Sequence, residues 1–219
     1  MQAFLRGWAI IASLVCASAH AQPACSTDQP EDPDYRQDSA ADWPIEAGRL
    51  AATPRLASRE GGSLTLSVDG GRTVSLSDCP YGDGGYRFLY ERYDQSGAFH
   101  VVRRLARDDI FYRLVLMHGG AVVSLPGLPI WTSERTRFLS IGCSLEPARA
   151  TLSIQAPGND GLVTEAEFPL PCERESCSAR FDHQSWIAVT CVPRDDTGKR
   201  GSEFVLIRDP AGRWNRFGR

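Results

Sequence analysis

The sequence predicts an antiparallel all-β protein built as a repeat array of about four sheet units. From Gly61 onward, apolar and polar residues alternate with a period of two, and glycine-containing turns separate the alternating runs. No segment after Trp43 has the length, caps and apolar spacing of an amphipathic helix of about ten residues or more. The 219 residues, of which 42% are hydrophobic and 23% charged, have ordinary globular proportions and suffice for one domain or at most two.

The N-terminus has the three parts of a secretory signal peptide. Arg6 supplies a positive charge, an apolar run covers Gly7–Ala17, and small residues precede the expected cleavage site after Ala21. The apolar run is shorter than the roughly 20 residues that a membrane-spanning helix needs. Residues 1–21 are therefore interpreted as a cleavable signal peptide. The chain from Gln22 onward is expected to be periplasmic or secreted from a bacterium, with no transmembrane segment.

A lipoprotein is the alternative interpretation of the same leader. Cys16 would then carry the lipid, but the residue before an acylated cysteine should be small, and Val15 stands there. Cleavage after Ala21 is the preferred prediction.

Residues 22–46 are acidic and contain several prolines. Such a segment can bury little apolar surface, so we expect an extended or mobile N-terminal arm. Residues 47–219 are then predicted to form a single all-β domain.

The predicted strands recur in similar sets. Gly61–Asp78 is a hairpin that turns at Asp69-Gly70-Gly71. After it come three sets, each with a short strand followed by a triplet of strands. The short strands are Tyr86–Tyr90, Leu128–Thr132 and Ser178–Asp182, and the triplets are Phe99–Leu105, Ile110–Met117 and Ala121–Leu125; Phe138–Cys143, Ala150–Gln155 and Leu162–Phe168; and Trp186–Val192, Glu203–Arg208 and Arg213–Phe217. Units of four strands at a spacing of about 40–50 residues are typical of propeller blades. We therefore predict a small or incomplete β-propeller-like array, with a curved meander sheet or a β-sandwich as the alternatives.

One motif points to a family. Pro129–Ser140 reads PIWTSERTRFLS and resembles the Pro-x-Trp-Ser-x-Asp-Gly-x-x-Ile-Ala segment of TolB-type propeller blades, and Ser178–Val189 is a fainter copy. This chain has Glu134-Arg135-Thr136 where Asp-Gly is usual, and it has fewer repeats than the common propellers of that type. More broadly, Tyr86–Phe217 is similar to uncharacterised secreted bacterial proteins with such repeats. The resemblance implies a binding scaffold and carries over no catalytic residues.

Three tryptophans fall near related places in successive units. They are Trp131, Trp186 and Trp214. We expect them to pack in the core between units rather than to stack on a ligand.

Six cysteines follow the leader, and an even number in an oxidising compartment is typical of disulfides. They are Cys25, Cys79, Cys143, Cys172, Cys177 and Cys191. Cys172 and Cys177 enclose four residues, so a local bridge is plausible. Cys143 and Cys191 occupy matching places in two units and are expected to join them, which leaves Cys25 and Cys79 to pin the arm. A zinc site is disfavoured because no second close pair of cysteines accompanies Cys172 and Cys177.

Catalytic candidates are few. Asp182, His183 and Ser185 are the residue types of a hydrolytic triad, but a triad is recognised by its geometry in space and not by adjacency in sequence. The chain also has no Gly-x-Ser-x-Gly nucleophile elbow. We therefore prefer to interpret this segment as a turn between strands. Neither His100 nor His118 has a partner at ligand spacing, so no metal site and no cofactor are predicted.

The formal net charge of -3 argues against a nucleic-acid-binding protein, which usually has a concentrated basic surface. The predicted function is that of a non-catalytic periplasmic binding or protein-interaction module, with an envelope or extracellular protein as partner. A secreted hydrolase using Asp182, His183 and Ser185, and an inhibitor or immunity-type protein, are the alternatives.

Overall fold

The computed structural model describes residues 25, 30, 33–82, 85–106, 110–144, 149–158, 161–172, 175–193 and 202–217. The expected signal peptide at residues 1–21 lies outside them.

Within the described residues, one helix precedes four antiparallel sheets. The helix is α1 (Pro33–Ala52). The first sheet contains β1 (Ala57–Glu60), β2 (Ser63–Val68) and β3 (Arg72–Ser77). The second contains β4 (Tyr86–Asp94), β5 (Phe99–Ala106), β6 (Ile110–Leu116) and β7 (Val122–Leu125). The third contains β8 (Ile130–Trp131), β9 (Phe138–Ser144), β10 (Arg149–Gly158) and β11 (Gly161–Leu170). The fourth contains β12 (Glu175–His183), β13 (Trp186–Pro193), β14 (Ser202–Arg208) and β15 (Trp214–Phe217).

Each sheet is a meander in which strands that follow one another in the chain are hydrogen-bonded neighbours. The grouping of strands confirms the prediction of an all-β array of four sheet units. No sheet of the described chain is closed on itself.

The sheets pack face to face in chain order. One apolar cluster joins the first and second sheets, a second joins the second and third, and a third joins the third and fourth. Successive side chains of a strand point to opposite faces, so one sheet can pack against two neighbours. Val102 of β5 belongs to the cluster shared with the first sheet, and the adjacent Val101 belongs to the cluster shared with the third sheet. The central strands of the second sheet are therefore buried on both faces.

Close backbone approach fixes the connection into the third sheet. Gly127 lies against the carbonyl of Ile141 on β9, and Gly142 lies against the carbonyl of Pro126. A side chain at either glycine would collide with backbone, so only glycine fits. The Ser140 hydroxyl supports the same contact, because it accepts a hydrogen bond from Gly127 N at 2.9 Å and donates one to Gly127 O at 2.8 Å.

The N-terminal arm differs from the prediction. Pro33–Ala52 is helical where an extended or mobile segment is expected, and the predicted domain boundary between residues 46 and 47 falls inside this helix. The reason is electrostatic. Asp42 pairs with Arg87 at 2.8 Å and with Arg103 at 3.1 Å, so a carboxylate that the sequence pattern assigns to solvent binds arginines of the second sheet.

Charged side chains also complete the free edge of β4. The Glu46 carboxylate accepts a hydrogen bond from Tyr90 N at 2.7 Å, and the Asp78 carboxylate accepts one from Phe88 N at 2.7 Å. The carbonyl of Phe88 accepts a hydrogen bond from Arg59. Helix α1 and the first sheet thus satisfy backbone groups that an edge strand would otherwise leave open to another chain.

Three disulfides form among the described cysteines, and one of the three predicted pairs is confirmed. Cys25 bonds to Cys79, as expected, with a Cα–Cα distance of 5.5 Å. The expected Cys172–Cys177 and Cys143–Cys191 pairs are wrong: Cys143 bonds to Cys177 and Cys172 to Cys191, with Cα–Cα distances of 6.0 and 5.3 Å.

The packing of the last two sheets explains this exchange. Strand β9 packs beside β12, which brings Cys143 next to Cys177. Cys177 lies inside an extended strand, whose rise of about 3.3 Å per residue carries it away from Cys172. Cys172 follows β11 and is buried in the cluster that also contains Cys191. Both bonds therefore reinforce the C-terminal half of the array.

No helix among the described residues has both the length and the apolar character required to cross a membrane.

Candidate functional site

The sequence-predicted catalytic residues lie on the exposed turn between β12 and β13. Asp182 sits where the register of the two strands shifts, and its carboxylate accepts a hydrogen bond from Arg180 Nε at 2.8 Å. The His183 Nδ1 atom is 3.4 Å from the Ser185 hydroxyl oxygen. The structure thus brings His183 and Ser185 together but directs Asp182 to Arg180, whereas a triad needs a carboxylate that orients the imidazole.

A second carboxylate, which was not predicted from the sequence, approaches this turn. Glu134, on the turn between β8 and β9, accepts a hydrogen bond from the Ser133 hydroxyl at 2.6 Å. Hydrogen bonds from Ser133 and Gln184, together with the charge of His183, lower the pKa of Glu134. Glu134 and His183 are both exposed, so this cluster lacks the enclosed environment in which catalytic groups act.

The other two histidines have different surroundings. His100 is fully buried, and its Nε2 atom lies 2.8 Å from the carbonyl oxygen of Ser67. Burial lowers the pKa of His100 and favours the neutral imidazole. His118 is exposed on the turn between β6 and β7. Across the described ranges, no group of three or more His, Cys, Asp or Glu side chains is arranged to hold a metal ion.

Two of the three tryptophans pack between sheets as predicted. Trp131 stacks on Phe99 at 6.0 Å between ring centroids, and its indole N–H donates to Asp94 of the second sheet at 2.7 Å. Trp214 is buried, and its N–H donates to Glu165 of the third sheet at 3.1 Å. In both pairs the indole reaches back to a carboxylate of the preceding sheet.

Trp186 differs from the other two, because it is 49% exposed. It lies on the outer face of the fourth sheet, the face that points away from the third sheet. The outer face of the fourth sheet has an apolar centre formed by Trp186, Ala188, Thr190, Val205, Ile207 and Phe217. These side chains line a shallow groove of about 480 Å³.

Strand register explains why these residues share a face. Ala188 of β13 is opposite Val205 of β14, and Val205 is opposite Phe217 of β15. Trp186 is likewise opposite Ile207. Residues in register point to the same side of a sheet, so the rows form one continuous surface.

Two charges flank the apolar centre. Arg180 of β12 is in register with Ala188, and Glu203 of β14 is in register with Thr190. The Arg180 side chain is 71% exposed. Apolar and aromatic residues at the centre with charged residues at the margin are the usual anatomy of a protein–protein interface.

The other end of the array has a different surface. The residues of the first sheet that point away from the second sheet are almost all hydroxylic, and the register places Ser63 opposite Ser77, Thr65 opposite Ser75 and Ser67 opposite Thr73. The two outer faces of the array are therefore unlike, one polar and one apolar.

The sequence analysis did not predict the outer face of the fourth sheet as a site. The signal that could have revealed it is the composition of two strands. Trp186–Val192 reads WIAVTCV, an apolar run with a single hydroxyl, and Phe204–Ile207 reads FVLI. Strands that are apolar at consecutive positions are normally covered on both faces. One face of the fourth sheet is covered by the third sheet, whereas the other carries the exposed side chains of Trp186 and Phe217.

Comparison of the chain with models of protein families, with curated proteins and with solved structures found no match in any of the three. The resemblance to TolB-type propeller blades consequently stays a prediction from the motif of Pro129–Ser140.

Proposed function

We propose that this protein is an exported, non-catalytic protein-interaction module that binds its partner through the outer face of the fourth sheet. The observation that supports this proposal is the exposed apolar surface around Trp186, Val205 and Phe217, of which Trp186 and Phe217 are 49% and 54% exposed. Large apolar patches that are surrounded by charged residues on a protein surface often mark interaction sites. Contact of such a patch with water is unfavourable, and binding a partner removes that contact.

The rest of the molecule suits a rigid scaffold. Three disulfides are consistent with folding in an oxidising compartment, and the three-part leader at residues 1–21 supports export to a bacterial periplasm or beyond. Two of these bonds lie in the half of the chain that carries the outer face of the fourth sheet. A rigid surface loses less conformational freedom on binding than a flexible one.

Affinity capture tests the proposal. The oxidised chain from Gln22 onward, immobilised and exposed to an extract of the source cell envelope, is expected to retain a protein that Val205→Glu fails to retain. Val163→Glu is the matched control, because Val163 is an exposed strand valine of the third sheet, 56% exposed. A captured protein that both variants lose, or both keep, would count against this surface.

A secreted hydrolase is the second candidate function, and the contact of 3.4 Å between His183 Nδ1 and Ser185 Oγ is the observation that favours it. Its test is a screen for esterase, peptidase and glycosidase activity with the native chain and with His183→Ala. Turnover that disappears in His183→Ala would replace the non-catalytic proposal, whereas the interaction module predicts no such turnover and unchanged capture by His183→Ala.

A further inference from the structure

We infer that the occupant of the outer face of the fourth sheet is the same face of a second copy of this chain, so that two molecules pair as a two-fold symmetric dimer. This inference rests on the proposed function and names the partner. Three features of the described residues lead to it: the difference between the two ends of the array, the distribution of charge on the face, and the size of the face.

The unlike ends of the array disfavour two alternatives, a head-to-tail contact between copies and ring closure within one molecule. A head-to-tail contact between copies would bury the apolar centre around Val205 against the Ser/Thr surface of the first sheet, represented by the cross-strand pair Ser67 and Thr73. Ring closure within one molecule would make the same mismatch. Burying hydroxyl groups against apolar side chains without hydrogen bonds is unfavourable. Head-to-head pairing instead joins apolar surface to apolar surface, as a symmetric dimer does.

The N-terminal part of this chain is anchored elsewhere. Cys25 is bonded to Cys79, next to the first sheet, and α1 contacts β1 and β4. At least two sheet interfaces, the second–third and the third–fourth, separate this region from the outer face of the fourth sheet. The described residues of the arm, which are Cys25, Pro30 and α1, therefore do not cover Val205.

Charge on the face is self-complementary. Arg180, which pairs with Asp182 at 2.8 Å, lies on β12, and its 71% exposed side chain leaves room for a second carboxylate. Glu203 lies two strands away on β14, on the other side of the apolar centre. A two-fold axis in the plane between two facing sheets, passing over β13 between Ala188 and Thr190, exchanges the positions of Arg180 and Glu203. Each Arg180 then faces Glu203 of the second copy, and two equivalent ion pairs form at the margin of the interface.

The size of the face indicates a reversible dimer. Four strands about 4.8 Å apart, each contributing some six residues at about 3.3 Å, give a face on the order of 400 Å² per molecule in projection. The accessible surface buried by two such faces is on the order of 1,000 Å², near the lower limit of specific interfaces. We therefore expect dissociation in the micromolar range, with monomer dominant below about 1 μM and dimer dominant near 100 μM.

Sedimentation velocity tests the inference. The oxidised chain from Gln22 onward is expected to shift from monomer to dimer as concentration rises from about 1 to 300 μM. Val205→Glu is expected to remain monomeric over this range, and Val163→Glu, on the exposed surface of the third sheet, is expected to dimerise like the native chain. Native protein that stays monomeric throughout, or a dimer unaffected by Val205→Glu, would overturn the inference.

Reversing the charges at Arg180 and Glu203 provides a second test, which remains valid even if Val205→Glu fails to fold. Arg180→Glu and Glu203→Arg are each expected to weaken dimerisation at least tenfold, because each juxtaposes like charges across the axis. The double variant restores both opposite-charge pairs and is expected to recover most of the native affinity. Failure of the double variant to recover affinity beyond the single ones would contradict the predicted symmetry.

The capture experiment separates this inference from the proposed function. A monomeric chain that retains an envelope protein through Val205 would refute the second copy as partner and leave the interaction module in place. A monomeric chain that captures nothing through this face would refute both.

Discussion

At the scale of single residues, Glu46 explains how an acidic helix is held against a β-sheet. Its side chain is 2% exposed, accepts a hydrogen bond from Tyr90 N at 2.7 Å, and pairs with Arg59 at 2.8 Å. A buried carboxylate is tolerated only when it is paired and hydrogen-bonded, and Glu46 meets both conditions.

We predict that Glu46→Ala lowers the free energy of unfolding by about 3–5 kcal/mol, because it leaves the mostly buried Arg59 with one of its two carboxylates, Asp78, and the Tyr90 N–H without the Glu46 acceptor. Urea denaturation followed by circular dichroism measures the change. Glu60→Ala, at an exposed position at the end of β1, is the control and is expected to change stability by less than about 0.5 kcal/mol. Equal effects of the two substitutions would contradict the structural role of Glu46.

His100 makes stability depend on pH. Burial lowers the pKa of His100 below the ordinary value of 6.5. Between the lowered pKa and 6.5 the unfolded chain therefore binds more protons at this residue than the folded chain does, and stability falls as the pH drops through this window.

The free energy of unfolding measured from pH 8 to about pH 5 is thus expected to decrease below pH 6.5 in the native protein. The decrease should be smaller in His100→Gln, since glutamine does not titrate, and unchanged in His118→Gln, where the histidine is exposed. If the free energy of unfolding of His100→Gln falls with pH as steeply as that of the native protein, groups other than His100 cause the decrease.

At the scale of elements, the disulfides decide which strands are tied together. The bonds Cys143–Cys177 and Cys172–Cys191 both involve strands of the fourth sheet. The first of them joins the third sheet directly to the fourth. A local Cys172–Cys177 bond would instead have closed a loop of four residues after β11, without linking a strand of the third sheet to a strand of the fourth.

Trypsin digestion without reduction distinguishes the two arrangements, because Arg174 separates Cys172 from Cys177 and Arg180 separates Cys177 from Cys191. We predict that mass spectrometry finds the peptide with Cys172 linked to the peptide with Cys191, and the peptide with Cys143 linked to the one with Cys177. A linked pair of peptides carrying Cys172 and Cys177 would show that the last two sheets are held differently.

At the scale of the whole molecule, the four sheets are connected by shared apolar clusters. Each pair of consecutive sheets shares an apolar cluster, so damage at one junction is transmitted to the others. Phe138 lies at the junction of the second and third sheets, fully buried, with its ring 5.0 Å from Trp131 and 5.7 Å from Phe99.

We predict that Phe138→Ala lowers the free energy of unfolding by about 3–5 kcal/mol, and that the variant still unfolds in a single transition. Tryptophan fluorescence and far-ultraviolet circular dichroism are expected to give coincident urea curves. Val163→Ala, at an exposed position, should change stability by less than about 0.5 kcal/mol. Separate transitions for the two probes would mean that the halves of the array fold independently.

Much of the fold could be predicted because it depends on local pattern. Alternation in Leu64, Leu66 and Val68 and the glycine turns specify hairpins, and hairpins of neighbouring strands are all that each meander requires. The candidate catalytic site could be predicted only in part from local sequence pattern. Residue types alone identify Asp182, His183 and Ser185, but their separation into two contacts depends on the bulge in β12 and on Arg180.

The sequence by itself determined the strands from Gly61 onward, their order and the grouping into four units, because neighbours in the chain are neighbours in each sheet. It also indicated an even number of cysteines for disulfides, but not the strand Ala57–Glu60. Tertiary structure decided which cysteines meet, how the carboxylates of α1 are used, and which sheet face is left open. These depend on contacts between residues far apart in the chain, such as Glu46 with Tyr90 and Cys143 with Cys177. Period and composition describe one strand at a time, whereas burial and pairing are properties of the packed whole.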